Sequence, residues 1–268
     1  CSTKQEQQEL LNIVIVGGGA TGIEVAGILS EMKKFVLPND YPDMPSSLMH
    51  IYLIEAGPRL LAGMSEESSA HAEQFLREMG VNILLNKRVV DYRDHKVVLE
   101  DGTEIATRTF IWVSGVTGVT IGNLDASLIG RGGRIKVDSF NRVEGMNNVF
   151  AIGDQCIQLA DENYPNGHPQ LAQVAIQQGE LLAKNLVRME KGREMKPFHY
   201  RNLGSMATVG RNRAVAEFSK VKMQGWFAWV MWLVVHLRSI LGVRNKVIVL
   251  LNWVWNYFTY DQSMRRSE

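Results

Sequence analysis

Cysteine is nearly absent from this 268-residue chain, which has only Cys1 and Cys156. No C-x-x-C pair exists, which excludes a thioredoxin-like dithiol and a structural zinc knot. Such scarcity suits a reducing compartment. Charge of one sign is also missing. The formal net charge is +1, so the whole molecule has no field that implies nucleic acid. No apolar run approaches the ~20 residues that a bilayer-spanning helix needs. The first residues, CSTKQEQQEL, show no secretory signal and no initiating Met, so a processed chain or a piece of a longer one is expected. No His, Asp, Glu and Cys cluster has metal-ligand spacing. Ser114 has no ordered His and Asp partners, so it is not expected to be a nucleophile. The lone His168 reads as a loop histidine. Apolar residues, by contrast, make up 46% of the chain, enough to build the core of one large or two smaller domains.

The strongest pattern lies near the start. Residues 10–16, LLNIVIV, form an apolar, β-branched run of strand length, followed by GGGATGIE and the helical stretch VAGILSEMKK. Gly17, Gly19 and Gly22 satisfy G-x-G-x-x-G between strand and helix, a Rossmann-type arrangement. Gly17 permits the tight turn, Gly19 lets a pyrophosphate approach the backbone, and Gly22 lets the helix pack closely. The free N–H groups of the helix N-terminus then face the phosphates. Gly18 and Thr21 belong to the same binding turn. A second strand, 49–55, ends in Glu55, whose carboxylate suits ribose hydroxyls and repels a 2′-phosphate, so NADH is expected over NADPH. Glu55 stands further on than the usual ~20 residues. The excess is KKFVLPNDYPDMPSSL, read as a proline-bearing excursion between helix and strand. A helix over 66–79, a strand over 81–85 and a small antiparallel sheet with a turn at Asp101-Gly102 follow. TFIWVSG then returns to the parallel sheet and ends at Gly115, where the ligand crevice lies. Glu24, on the first helical turn, has two readings: a carboxylate favoured by the helix dipole, or a group at the nicotinamide end that handles a proton.

A second segment starts after Gly115. RIKVD and NVFAIGD read as strands, the latter ending in Gly153-Asp154, where Asp154 suits a ribityl hydroxyl or phosphate, or else caps the next helix. A helix is expected from Pro169 to about Met189. Ala172, Ala175 and Gly179 are small enough for a flat group to come close. Gln173 and Gln177 share one face. Their amides suit a ring carbonyl or, on the plainer reading, contact with a neighbouring domain.

The last segment holds a hairpin over 204–219, with Arg211 and Arg213 near its turn. Beyond it, five of the six tryptophans fall after residue 225. From Lys220 on, seven basic residues (Lys220, Lys222, Arg238, Arg244, Lys246, Arg265, Arg266) face two acidic ones (Asp261, Glu268). The apolar runs 226–235 and 247–251 are short, so residues 225–268 read as one or two amphipathic helices lying on an anionic membrane surface. A soluble subdomain or a homodimer face is the other use of such a surface.

These stretches together resemble the type II, single-subunit, non-proton-pumping NADH:quinone oxidoreductases, and more broadly the pyridine nucleotide-disulphide oxidoreductase flavoproteins. The resemblance is carried by IVIVGGGATGIEVAG, IYLIEAGPRLL, FIWVSGV, GRIKVDSFNRVEGMNNVFAIGD, HPQLAQVAIQQG and GSMATVGRNRAVAE. It implies an NADH site at Gly17, Gly19, Gly22 and Glu55, with Glu24 near the nicotinamide. It implies FAD at Gly153 and Asp154, and Gln173 and Gln177 beside the flavin ring and the quinone entrance. The implied placement is peripheral, on the cytoplasmic face of the cell membrane. Such enzymes carry an earlier G-x-G-x-x-G for FAD, yet only sixteen residues precede Gly17. The expectation is therefore an α/β, Rossmann-type two-dinucleotide fold that is incomplete, lacking the N-terminal FAD half-domain and inactive by itself. It divides into an NAD(H) domain (1–118), the C-terminal part of an FAD domain (119–219) and a membrane segment (220–268). A soluble flavin reductase with a non-quinone acceptor, or a non-catalytic NADH-sensing module, are the alternatives.

Overall fold

The computed structural model describes residues 3–259 apart from 120, 220 and 241. Cys1, Lys220, Asp261, Arg265, Arg266 and Glu268 lie outside the described residues, as does the expected membrane segment beyond residue 259. The chain forms two units, residues 1–114 with 204–268, and residues 115–203.

The first unit begins with α1 (Lys4–Leu11), closed by a reciprocal capping box between Thr3 and Glu6. Leu10 and Leu11 end this helix, so the first strand, β1 (Asn12–Val16), starts two residues later than the apolar run suggests. All five residues of β1 are buried, as a strand covered on both faces requires. α2 (Ala20–Glu31) follows and runs on through a π-helical stretch (Met32–Val36) into α3 (Leu37–Asp40). The proline-bearing excursion is thus helical in its first half. Pro38 stands in the first turn of α3, where the π-helical stretch gives way to it. Next come β2 (His50–Ile54), α4 (Glu66–Glu78), β3 (Val81–Leu84), β4 (Val89–Arg93), β5 (Lys96–Leu99), β6 (Glu104–Ala106) and β7 (Thr109–Trp112). A parallel sheet of order β3-β2-β1-β7 forms the centre. Alternation along β1 sends Ile13 and Ile15 toward Ile23, Ala26 and Leu76 of the helices. Val14 and Val16 meet Val97 and Leu99 of the small antiparallel sheet β4-β5-β6. Elements of this chain therefore cover both sheet faces.

The second unit carries a short parallel pair, β8 (Ile135–Val137) and β9 (Cys156–Gln158), and the long α5 (Ala172–Glu190). The strand expected over NVFAIGD does not form. Val143 N–H donates to the Val149 carbonyl and Ala151 N–H to that of Asn141, so this stretch closes on its own neighbours. Phe150 makes one isolated bridge to Arg142. Residues Gly153–Gln155 then turn, and β9 begins only after them. α5 starts three residues later than Pro169, with Leu171 at its N-cap.

The chain returns to the first unit with β10 (Ser205–Gly210), β11 (Arg213–Phe218) and β12 (Val221–Gln224), an antiparallel sheet that extends the expected hairpin by one strand. The domain scheme read from sequence groups 204–219 with the second segment; here these strands pack on α2. Gly27 makes that packing possible, because any side chain there would run into the Val209 carbonyl. α6 (Gly225–Ser239) and α7 (Val243–Thr259) complete the unit. Among the described residues no helix is long and apolar enough to cross a membrane.

Candidate functional site

The turn from β1 into α2 has the geometry that G-x-G-x-x-G requires. Gly17 has φ +116°, and its N–H donates to the Ile54 carbonyl at 2.9 Å. A Cβ on Gly17 would lie 2.7 Å from the Val113 carbonyl oxygen, and one on Gly22 would overlap the Gly17 carbonyl. Nothing lies within 4 Å of the place where a Cβ on Gly19 would stand. Gly19 is the N-cap of α2, and no side chain caps that end. The result is a tight, rigid turn with one open concavity at a helix N-terminus, which fits a pyrophosphate. Thr21 is exposed on the first turn of the same helix.

Glu55, at the end of β2, braces this turn. Its Oε2 accepts the Gly18 N–H at 2.6 Å, and its Oε1 accepts the Gly57 N–H at 2.7 Å. Each carboxylate oxygen keeps a further acceptor site for a ribose hydroxyl. Glu24 is half-buried. Burial pushes its carboxyl pKa up, against the Thr208 backbone and His236, which pull it down. The groups acting on it therefore belong to β10 and α6. Gly115 ends the β7 segment with φ +101° and open space around it.

In the second unit, Gly153 and α5 meet directly: a Cβ on Gly153 would be 3.2 Å from that of Ala175. Gln178, which the sequence reading passes over, makes the bond that fixes this corner. Its buried Oε1 accepts the Gly153 N–H at 2.7 Å. The side chain of Asp154 is exposed, and its carbonyl accepts from Gln170 Nε2 at 3.1 Å. Ala172 is exposed at the start of α5, an end that no side chain caps. Gln173 and Gln177 lie on one face, and both address the extended segment before β10. Gln177 donates to the Arg201 carbonyl at 2.9 Å and accepts its N–H at 3.0 Å, and Gln173 Oε1 accepts the Leu203 N–H at 3.1 Å.

His168 lies in a loop, as its sequence suggests, but it is buried. Its Nε2 is 3.0 Å from Asp161 Oδ2, and Tyr164, Phe198 and Tyr200 surround the ring. The hydrogen bond from His168 holds the Asp161 carboxyl below its usual range, against the effect of burial. Cys156 is buried too, and burial raises its thiol pKa.

The profile of the pyridine nucleotide-disulphide oxidoreductases matches residues 2–179. The chain belongs to this family. A second profile, the NDH2 C-terminal domain, matches residues 202–260. These matches correct the expectation of an incomplete fold without its N-terminal FAD half-domain: the family's dinucleotide domain is matched from residue 2 onward. That expectation rested on the sixteen residues before Gly17, which hold no earlier G-x-G-x-x-G, whereas the family match spans 2–179 around the single fingerprint. Among curated members, the type II NADH:quinone oxidoreductase NdhA of Mycobacterium tuberculosis is 35% identical over 261 residues, 92% of this chain and 54% of its own length. An internal alternative NAD(P)H-ubiquinone oxidoreductase of Arabidopsis thaliana is 32% identical over 95% of this chain and 52% of its own. The chain thus spans about half the length of the curated relatives it matches. The structure of NDH2 from Plasmodium falciparum in complex with NADH shares the fold, with a TM-score of 0.85 over 96% of this chain and 68% of that one, at 19% identity.

Proposed function

We propose that the protein is a type II NADH:quinone oxidoreductase that uses FAD and works at a membrane surface. The observation that carries this reading is the glycine turn, rigid at Gly17 and Gly22 and open at Gly19, in a family member whose curated relatives at 31–35% identity bear that activity. Gly17, Gly18, Gly19, Thr21 and Gly22 hold the NADH pyrophosphate. Glu55 takes the adenosine ribose and repels a 2′-phosphate. Gly115 leaves room beside the nicotinamide end. Glu24, whose carboxyl holds its proton more readily than a solvated one, serves proton handling.

Gly153, Asp154 and Ala172 offer a small-residue corner, an exposed carboxylate and an uncapped helix end, which fit the ribityl and phosphate parts of FAD. A flavin held there supplies hydride acceptance from NADH and two-electron delivery to an acceptor. Gln173 and Gln177 position the segment 201–203 on the quinone side. α6 and α7 expose Phe227, Val234, Leu251, Trp255 and Phe258, and this apolar face supports seating on a bilayer, from which a lipid-soluble quinone arrives. Pairing of two copies through the same face is the second use open to it.

The test is steady-state oxidation of NADH and NADPH with a soluble quinone, added FAD and anionic lipid. The expected outcome is flavin-dependent turnover with a kcat/KM for NADH at least tenfold that for NADPH, about the 1.4 kcal/mol of one lost or repulsive contact. Bound flavin without turnover with any quinone rejects the quinone reading, and equal use of both nucleotides rejects the role of Glu55.

A further inference from the structure

We infer that the cavity between α2, its π-helical extension and the α6–α7 pair holds the acyl chain of a membrane lipid. The cavity measures about 680 Å³, within the range of small-molecule sites. Phe35, Trp229, Val230, Trp232, Trp253 and Val254 form much of its wall. Glu31 and Arg211 are its charged lining residues, and both are engaged with the protein. Glu31 Oε1 accepts the Arg211 N–H at 2.5 Å, the Arg211 guanidinium donates to the Asn256 carbonyl at 2.8 Å, and it lies 4.6 Å from the Tyr257 ring centroid. A polar ligand would leave its water shell for a wall with few hydrogen-bonding groups, at a net cost. A hydrocarbon chain gains from the same wall.

Composition argues against residues 260–268, YDQSMRRSE, as the occupant, since they carry four charged side chains. The same two helices expose Phe227 (72%), Trp255 (63%) and Phe258 (77%), so the cavity adjoins the surface assigned above to the bilayer. Acyl chains are the most concentrated hydrocarbon in that phase, and mass action favours them over any scarcer one. The source of the ligand rests on the membrane reading, whereas the cavity itself does not.

Four tryptophans line the site, Trp226, Trp229, Trp232 and Trp253, which gives a direct readout. The full chain is titrated with 9,10-dibromostearate below its micelle concentration and without vesicles. Contact with bromine quenches tryptophan emission. Saturable quenching with one acid per chain is expected. Val230→Phe and Val254→Phe, which fill the cavity from different helices, should each raise the half-saturating concentration about tenfold, as expected when a few methylenes lose their place. Flotation with phosphatidylglycerol vesicles should be the same for wild type and both variants. Quenching that is linear in ligand, or unchanged in both variants while their thermal melts stay normal, overturns the proposal. So does saturable binding shown only by a brominated isoprenoid. Native mass spectrometry of wild-type protein taken from membranes gives an independent result: an acyl-lipid adduct supports the site and its absence counts against it. Loss of flotation with saturable quenching intact would reject the membrane reading alone.

Discussion

Gly19 and Gly22 sit three residues apart in one motif, yet the structure gives them opposite tolerances. A methyl on Gly22 overlaps the Gly17 carbonyl, while a methyl on Gly19 enters open space. Gly22→Ala should therefore lower the melting temperature as well as NADH affinity, at a cost of about 1–3 kcal/mol for a forced backbone shift. Gly19→Ala should fold with wild-type stability and lose only nucleotide affinity, as read by a thermal melt beside an NADH titration. Glu24 offers a test by pH. Its folded pKa is raised, so the stability linked to its proton is complete below the unfolded value of ~4.3 and is lost as pH rises through the folded value. Glu24→Gln should accordingly be more stable than wild type at neutral pH, with the difference closing below about pH 4 in denaturant melts. The tight backbone at Gly17 and Gly22 and the open space at Gly19 were legible in sequence because they are set by backbone within a few residues and by the strand alongside. Gln178 and His168 were not. What each one does is set by a partner placed by tertiary packing, Gly153 for one and the Asp161 and tyrosine surround for the other.

At the level of elements, apolar patterning located β1, α2, α4 and the return of TFIWVSG to a parallel sheet, because burial on one or two faces imprints a repeat on the residues themselves. It failed where local bonds rather than a repeat decide the backbone. NVFAIGD alternates like a strand but is drawn into a short loop by bonds to Asn141 and Val143. KKFVLPND read as part of an excursion between helix and strand, yet it is helical, with Pro38 at the joint between the π-helical stretch and α3. The sequence indicated one or two amphipathic helices at the end, and two are present. Their exposed face makes a prediction at this scale. Phe227→Ser with Trp255→Ser removes two large exposed side chains, each worth roughly 1.5–3 kcal/mol when fully transferred from water. Binding to anionic vesicles should fall by tenfold or more in a sedimentation assay, with NADH affinity unchanged. Undiminished vesicle binding would show that this face serves another contact.

Over the whole molecule, the peptide crosses between the two units twice, at 114–115 and 203–204. All six tryptophans lie in the first unit and none in residues 115–203. Tryptophan emission thus reports one unit, and amide hydrogen exchange in α5 reports the other. His168→Ala leaves the buried Asp161 carboxylate without the imidazole, a loss of roughly 3 kcal/mol. The expected outcome is faster exchange in α5 with the tryptophan transition unmoved. A matching drop in both would show that the two units unfold as one. The Asp161 contribution has the opposite pH sign to that of Glu24. Its folded pKa is depressed, so this stability is present above the unfolded value of ~3.9 and lost as pH falls through the lower folded value.

The brace at Glu55 bears on how such a protein could change its diet of reductant. The carboxylate expected to discriminate between the two nicotinamide dinucleotides also holds the Gly18 and Gly57 amides in place. A swap to a small neutral or a basic side chain would admit a 2′-phosphate and at the same time slacken the loop that must grip the rest of the molecule. Selection or engineering toward NADPH therefore faces a valley between two peaks. It is crossed only if a compensating acceptor for those two amides arrives first, for instance from the neighbouring residues 56–59.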